Sequence, residues 1–184
     1  ANDEPVLGSI TGISTVHFFY PNGIQNVLIG GSAAGDGNEI AGHLDMGISV
    51  ANTYSGVRIS GNSIHDNGAL GIDLITNDFQ TGVTPNDPGD ADTGGNGLQN
   101  FPVLQSATVA GGTLRVVGTM NSSPSSGFTV EFFASPRSDA SGFGEGQDYL
   151  GSTSVYTNSS GDAGFDVTLP TAVPLGWLVA STAT

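Results

Sequence analysis

The sequence predicts an all-β protein in which a short right-handed parallel β-helix is followed by an immunoglobulin-like antiparallel β-sandwich. Three observations support this prediction. Glycine accounts for 29 of the 184 residues, which is typical of many short strands joined by tight turns. An internal repeat fills residues 26–74, and a longer apolar–polar alternation begins near residue 101. We therefore expect two domains, residues 1–98 and residues 99–184.

The repeat consists of residues 26–50 and residues 56–74, which can be aligned as two copies of one unit. Each unit offers one or two aliphatic residues at alternate positions, followed by a polar turn. One coil cannot bury such a face alone, so coils must stack into a continuous apolar column. The aligned positions are Val27 and Ile29 with Val57 and Ile59, Asn38 and Ile40 with Asn62 and Ile64, and Ile48 and Val50 with Ile72 and Leu74.

The second half alternates over longer stretches. We predict six strands, at residues 103–109, 113–119, 128–134, 149–157, 164–169 and 177–182. Glycine- and serine-rich segments separate them, and six strands at this spacing indicate a sandwich. A further strand is predicted earlier, at residues 15–20.

Several segments carry a resemblance to a known group. IGGSAAGDGNEIAG (29–42), ISGNSIHDNGALGIDL (59–74) and TPNDPGDADTGGNGLQNFPVL (84–104) resemble bacterial secreted and cell-surface proteins with right-handed parallel β-helix repeats. The resemblance covers about residues 22–184. It implies an acidic loop after the last coil, then a β-sandwich, and a location outside the cell. Such proteins usually continue with another strand where this sequence ends, so we expect the sandwich to lack one strand.

The charge balance excludes some partners. Three basic residues face 17 acidic ones, and the formal net charge is −14. Nucleic acids and anionic membrane surfaces are poor partners for such a chain, since both need basic patches. No apolar stretch is long enough to span a bilayer, and cysteine is absent, which excludes disulfides and thiolate metal sites. Divalent cations suit the excess of carboxylates.

The strongest candidate site is the acidic loop at residues 85–96. Asp87, Asp90 and Asp92 place three carboxylates within six residues, and Asn96 adds a carbonyl. Oxygen ligands on a flexible loop are what calcium prefers, and the D-x-D-x-G-x-N spacing is similar to part of an EF-hand loop without its closing glutamate. We predict a structural calcium site here. A solvated acidic turn that joins two domains is the alternative.

Two further sets of candidates follow from composition. Asp139, Glu145 and Asp148 lie in one loop and could form a second metal site, although an ordinary hairpin loop explains them better. Asn121 and Asn158 begin N-x-S sequons and are possible glycosylation sites if the source organism glycosylates its exported proteins.

Catalysis is a competing hypothesis, because many β-helix proteins cleave polysaccharides. Arg58 is the one basic residue of the helix region, and Asp73 could pair with Asp66 or Asp45 as two carboxylates on adjacent coils. Two or three coils leave little room for a sugar groove. We therefore predict that the chain is not an enzyme.

The leading prediction is an extracellular structural or adhesive surface module. Its expected partners are other copies of itself or other surface proteins, by strand donation from a segment such as residues 4–12. A filament or surface-layer subunit is one form of this hypothesis. A carbohydrate-binding module is another alternative, with Trp177, Tyr54 or Tyr149 stacking on glycans, although Trp177 is better explained as a core residue.

Overall fold

The computed structural model of the chain describes residues 12–14 and 26–184. Within these residues, seven short strands form the parallel part, and six longer strands form the antiparallel part. The short strands are β1 (Ile13–Ser14), β2 (Leu28–Gly30), β3 (Glu39–Ala41), β4 (Ile48–Val50), β5 (Arg58–Ser60), β6 (Ser63–His65) and β7 (Ile72–Leu74). The long strands are β8 (Val103–Ala110), β9 (Thr113–Asn121), β10 (Gly127–Ser135), β11 (Asp148–Tyr156), β12 (Asp162–Leu169) and β13 (Leu178–Ala183).

The prediction of an all-β chain is confirmed. The one helical segment among the described residues is a 3-10 turn, Gly95–Leu98, which lies between the two parts. The predicted strand at residues 15–20 and all but Gly12 of the predicted donor segment, residues 4–12, lie outside the described residues.

The short strands form three parallel stacks, β1-β4-β7, β2-β5 and β3-β6. The chain passes through the stacks in the order β2, β3, β4 and then repeats that order as β5, β6, β7. The strand pairs have the register that the sequence repeat predicts. The aligned isoleucine pairs are Ile29 with Ile59, Ile40 with Ile64, and Ile48 with Ile72.

The apolar side chains of these strands form one core. Ile48, Val50 and Tyr54 are almost completely buried at its centre. Their burial removes apolar surface from water, at about 25 cal/mol for each Å². The alternative in which Tyr54 stacks on glycans is therefore wrong, because Tyr54 lies inside this core.

Asparagine side chains connect successive coils, as the alignment of Asn38 with Asn62 predicts. The Nδ2 of Asn38 donates to the Oδ1 of Asn62 at 2.9 Å, and the Nδ2 of Asn62 donates to the Ile29 carbonyl at 2.9 Å. Asn67 repeats the arrangement at the next turn, donating to the Ile40 carbonyl at 3.1 Å. These bonds satisfy backbone groups that the turns leave unpaired.

A column of glycines precedes the strands of the first stack. A Cβ on Gly12 would lie 2.5 Å from the carbonyl oxygen of Gly47, and a Cβ on Gly47 would lie 2.7 Å from that of Gly71. The backbones approach so closely that no larger residue fits without a shift. The glycines are therefore required by the stacking of the coils.

Replacing Gly47 with alanine tests this column. The new Cβ would also lie 3.0 Å from the Nδ2 of Asn67, so we expect a loss of about 1–3 kcal/mol in the free energy of unfolding. Urea denaturation measures the loss. Gly164→Ala is the matched control, because the nearest atom to its Cβ would be the Gly118 carbonyl oxygen at 3.9 Å. Equal stability of the two variants would contradict close packing of the coils.

The long strands form two antiparallel sheets, with strand orders β12-β9-β8 and β11-β10-β13. All six predicted strands are present, with ends within two residues of the predicted ones. The sheets share one apolar core, in which the Phe132 ring of one sheet lies 5.7 Å from the Phe165 ring of the other. Trp177 packs against this core, in agreement with its predicted structural role.

The two parts contact each other through strand β10 and the loop before β11. The buried carboxylate of Glu131 accepts hydrogen bonds from the Ser60 hydroxyl at 2.7 Å and from the Gly61 amide at 3.0 Å. The Ile64 amide donates to the Gly146 carbonyl at 2.8 Å, which adds a short antiparallel bridge to β6. The antiparallel part therefore covers the end of the coil formed by β5 and β6.

Candidate metal site in the junction loop

The junction loop, residues 85–96, brings three of its predicted ligands together. One carboxylate oxygen each from Asp87, Asp90 and Asp92 lies within 4.8 Å of the others. All three side chains are partly buried. Three carboxylates at this separation repel each other in water, and a divalent cation would remove the repulsion.

Backbone and hydroxyl donors fix two of these carboxylates. The Asp87 carboxylate accepts a hydrogen bond from the Ala91 amide at 3.1 Å, within the loop itself. The Asp90 carboxylate accepts from the Asn100 amide at 2.8 Å and from the Ser122 hydroxyl at 2.7 Å. Asp90 has a left-handed backbone, with φ of 57°, which turns its side chain back toward these donors.

Asp92 is the least satisfied member of the cluster. Its Oδ1 is buried and has no hydrogen-bond partner. Burial raises the pKa of the Asp92 carboxyl, and the charges of Asp87 and Asp90 raise it further. A cation beside this oxygen would supply the missing partner and reverse that shift.

Asn96, the fourth predicted ligand, has its side chain bonded elsewhere. Its Oδ1 accepts from the Val57 amide at 2.9 Å, and its Nδ2 donates to the Val57 carbonyl at 2.6 Å. Its amide nitrogen donates to the Tyr54 carbonyl at 2.8 Å. Asn96 therefore fastens the end of the loop to the parallel part.

Asn100 positions the loop and was not predicted. Its side chain is buried, donates to the carbonyls of Asp87 at 2.7 Å and Asn121 at 2.8 Å, and accepts from the Asp87 amide at 3.1 Å. The sequence signal was a pair of amides, Gln99 and Asn100, between the apolar residues of LQNFPV. Ser122, which was also missed, carries no signal because it lies in an ordinary polar turn.

The possible second metal site, for which an ordinary hairpin loop was the favoured interpretation, does not form as a cluster. Among the described residues, the junction-loop aspartates are the only three acidic or histidine side chains with ligand atoms within 4.8 Å of one another, so Asp139, Glu145 and Asp148 are not brought together in this way. Glu145 instead accepts from the Nδ2 of Asn67 at 2.8 Å across the contact between the two parts. Asp139 accepts from Ser141 within its own turn.

The two sequons differ in their environment. The Asn121 side chain accepts from the Gly89 amide at 2.7 Å and donates from Nδ2 to Asp162 at 2.7 Å and to the Ser160 carbonyl at 3.3 Å, so a glycan on this nitrogen would remove one of its two donor hydrogens. Asn158 is exposed, and its Oδ1 accepts from the Ser160 amide at 2.8 Å. Of the two, Asn158 is the accessible one.

The candidate catalytic carboxylates are held in different environments. Asp73 is only 2% exposed, and its Oδ2 accepts from the Gly82 amide at 2.8 Å. Asp66 is exposed, and its hydrogen bond with His65 lowers the pKa of its carboxyl. Arg58 lies exposed on β5. A glycan cannot reach a carboxylate as buried as Asp73 without rearrangement of the chain.

Burial of carboxyl groups also makes the stability of the folded chain depend on pH. It raises the pKa of Asp73 and Glu145, as it does for Asp92. A raised pKa means that the folded chain holds these protons more tightly than the unfolded chain. Their contribution to stability is thus complete below the ordinary values of 3.8 for aspartate and 4.5 for glutamate, and it is lost as the pH rises through the folded values.

We therefore expect metal-free protein to become more stable as the pH falls from neutrality toward the ordinary pKa values of these carboxyls. For the buried Asp73 and Glu145, the slope approaches about 1.4 kcal/mol per pH unit for each group between its unfolded and folded pKa. His65 lowers the carboxyl pKa of the exposed Asp66, and Arg115 lowers that of the exposed Asp166. These two groups therefore reduce the stability of the folded chain only when the pH falls below the ordinary aspartate value of 3.8. Thermal unfolding followed by circular dichroism measures the trend. A higher midpoint at pH 8 than at pH 5 would contradict it.

The chain matches no protein-family model and no curated protein. In the part of the chain that the structure describes, no helical segment has the length and apolarity to cross a bilayer.

Proposed function

We propose that the chain is an extracellular, non-catalytic structural module with a calcium-stabilised junction loop, and that copies of it assemble. In this proposal residues 1–98 form the last coils of a right-handed parallel β-helix, with its N-terminal segment and the junction loop. Residues 99–184 form an immunoglobulin-like β-sandwich. The three parallel stacks and the two sheets around one core support this description.

The observation that carries the proposal is the aspartate cluster between the two parts. On one side, Gly89 donates to the Asn121 side chain, and Asp90 accepts from Ser122 of the antiparallel part. On the other side, the Gly95 amide donates to the Ile75 carbonyl at 3.0 Å. A cation bound to the cluster would stiffen the segment that joins both parts.

Calcium suits the cluster better than other common cations. It accepts six to eight oxygen ligands in flexible geometry, whereas magnesium demands a strict octahedron and zinc prefers nitrogen and sulfur. Three carboxylates supply hard anionic oxygen, and water can fill the remaining positions. The unpartnered Oδ1 of Asp92 adds to this support. Extracellular calcium is abundant enough for the weak sites typical of surface modules.

Assembly is supported by the uncharged and mostly exposed edge strand β8, in a chain whose net charge of −14 otherwise favours separation. Light scattering of purified protein over a range of concentrations, with calcium or with a chelator, tests calcium binding and assembly together. We expect oligomers in calcium and smaller species in a chelator. Protein that stays monomeric at every concentration, with calcium present, would overturn the proposed assembly.

A further inference from the structure

A cleft lies beside the contact that joins the two parts. The Ser60 hydroxyl donates to Glu131 at 2.7 Å, and the Thr184 hydroxyl donates to the Ile59 carbonyl at 3.2 Å, so β5 is held against the antiparallel part. Side chains alternate along β5, and Ile59 points into the core. Arg58 therefore points outward, into the space between the outer faces of the two parts.

Two cavities open along this space and meet at Arg58. The first has a volume of about 400 Å³ and reaches from Arg58 to the outer face of β10 and β11, where it is lined by Thr129, Ser154 and Tyr156. The second has a volume of about 440 Å³ and continues from Arg58 along β2 and β5 to Leu28 and Asp36. Both volumes lie in the range of about 300–1,000 Å³ that small-ligand sites occupy. We call the two cavities together the Arg58 cleft.

The guanidinium group of Arg58 has unused hydrogen-bond donors. Its backbone amide donates to the Val27 carbonyl at 2.8 Å, but its side chain bonds to none of the described residues. The equally exposed Arg115 differs, because it forms a salt bridge with Asp166. The donors of Arg58 are therefore free to bond a molecule in the cleft.

Tyr156 offers an aromatic ring on the opposite wall. It is 79% exposed, and its ring packs over Gly127, where a Cβ would lie only 2.9 Å from the Cε1 of Tyr156. Contact with β10 thus limits the movement of the ring and leaves most of its surface open. Leu28, in the second cavity, is 61% exposed. A ligand that covers these two side chains would remove apolar surface from water.

The polar groups of the cleft differ in what they bond. Arg58 only donates, the Asp36 carboxylate accepts, and the hydroxyls of Thr129 and Ser154 do both. An uncharged ligand that is rich in hydroxyl groups satisfies all of them. An anion would be repelled by the net charge of −14, and a cation would be repelled by Arg58.

A peptide fits this cleft less well than a sugar. The walls of the cleft are faces of paired strands, since β10 pairs with β11 and β2 pairs with β5. A peptide that binds by strand addition needs unpaired backbone groups along a sheet edge. The faces present side chains instead, which suits a ligand whose own hydroxyls and C–H surfaces make the contacts.

We propose that the Arg58 cleft binds a neutral polysaccharide. One sugar ring lies against Tyr156, and sugar hydroxyls accept hydrogen bonds from Arg58 and donate to Asp36. This site goes beyond the proposed function, because it needs neither calcium nor a second copy of the chain. It would attach the module to a glycan surface.

Isothermal titration calorimetry tests the site, with a chelator present so that the result does not depend on the junction loop. The probes are neutral hexasaccharides of α-linked glucose, β-linked glucose, mannose and xylose. We expect at least one to bind with a dissociation constant of about 1 mM or below. Arg58→Ala should weaken this binding about tenfold or more, and Tyr156→Ala about threefold or more.

Two variants outside the cleft are matched controls. Arg137→Ala removes the same charge from an exposed position after β10, and Tyr149→Ala removes the same ring from the other end of β11. Both should bind the sugar as the parent chain does, and thermal unfolding should show that every variant is folded. If Arg137→Ala or Tyr149→Ala weakens binding as much as the cleft variants do, the sugar binds elsewhere and the proposed site is wrong.

The choice of ligand class is tested with two further probes. Hexagalacturonate has the size of the neutral sugars and carries carboxylates, and a hexapeptide of serine and glycine is neutral and polar. Weaker binding of both would support the proposal. Tighter binding of either one than of every neutral sugar would overturn it, as would a failure of all four neutral sugars to bind at millimolar concentration.

Discussion

Calcium at a hundred times its dissociation constant is expected to raise the free energy of unfolding by about 2.7 kcal/mol, since it binds only the folded chain. The unfolded chain separates the three aspartates, whereas the folded loop holds their oxygens within 4.8 Å. Urea denaturation at neutral pH, with calcium or with a chelator, measures the difference. The gain should shrink as the pH falls, because protonation of Asp92 competes with the cation.

The Asp92→Asn variant should be more stable than the parent chain without calcium and less stable than the parent chain with calcium. Without calcium, Asp92→Asn removes a carboxylate whose charged form is disfavoured by burial and by Asp87 and Asp90, so the variant should be more stable than the parent chain. With calcium, the lost ligand should weaken binding about tenfold or more, which halves the gain to about 1.4 kcal/mol. This change in which protein is the more stable requires a cation site, because a solvated acidic turn would not make the effect of Asp92→Asn depend on calcium.

Asp148→Asn is the matched control for this experiment. It removes the same charge from an exposed position at the start of β11, outside the cluster. Its calcium gain should equal that of the parent chain. If Asp92→Asn and Asp148→Asn respond alike, the effect is general charge screening and the proposed site is wrong.

The parallel register could be predicted from the sequence because it depends on local repetition. Ile29 and Ile59, or Ile48 and Ile72, occupy equivalent places in the two units, and their alignment brings both members of each pair to the same core. The asparagine bonds between coils follow from the same equivalence. The six long strands could also be predicted, since a period of two marks a half-buried strand without knowledge of its partner.

The roles of single polar residues could not be predicted in this way. Asn96 looked like a ligand because it ends an acidic motif, yet its bonding partner Val57 lies 39 residues earlier. Glu145 looked like part of an exposed acidic loop, and its partner Asn67 lies 78 residues earlier. Such contacts depend on how the two parts meet, and the periodicity of one segment carries no information on that.

Glu131 shows the same limit most clearly. It alternates with the core residues Val130 and Phe132 of β10, so periodicity places it on the outer face of the sheet, toward water. In the structure that face lies against the parallel part, and Glu131 is 2% exposed. The one hint in the sequence is Phe133, an aromatic residue that follows it and is also buried.

Replacing Glu131 with alanine is expected to cost about 3 kcal/mol of the free energy of unfolding. The change leaves the Ser60 hydroxyl and the Gly61 amide without their acceptor, and a buried donor without a partner costs about 1–3 kcal/mol. The variant no longer buries a carboxylate, which is itself unfavourable, and this gain offsets part of the cost of the two unpaired donors. Glu131→Gln should cost less than Glu131→Ala, because its side-chain carbonyl oxygen can still accept from one of the two donors. Glu39→Ala, at an exposed glutamate of β3, should change stability by about 0.5 kcal/mol or less.

A double-mutant cycle with Ser60→Ala separates the hydrogen bond from other effects of losing Glu131. The two residues contact each other directly at 2.7 Å, so their effects should be non-additive by about 1 kcal/mol, with the second change costing less once the first is made. Additive effects would show that the bond across the two parts contributes no stability. Because Glu131 and Glu145 both bond from the antiparallel part to turns of the parallel part, weakening this contact should also let the parallel part unfold first. Two separate transitions in Glu131→Ala, against one in Glu39→Ala, would show that these buried carboxylates couple the unfolding of the two parts.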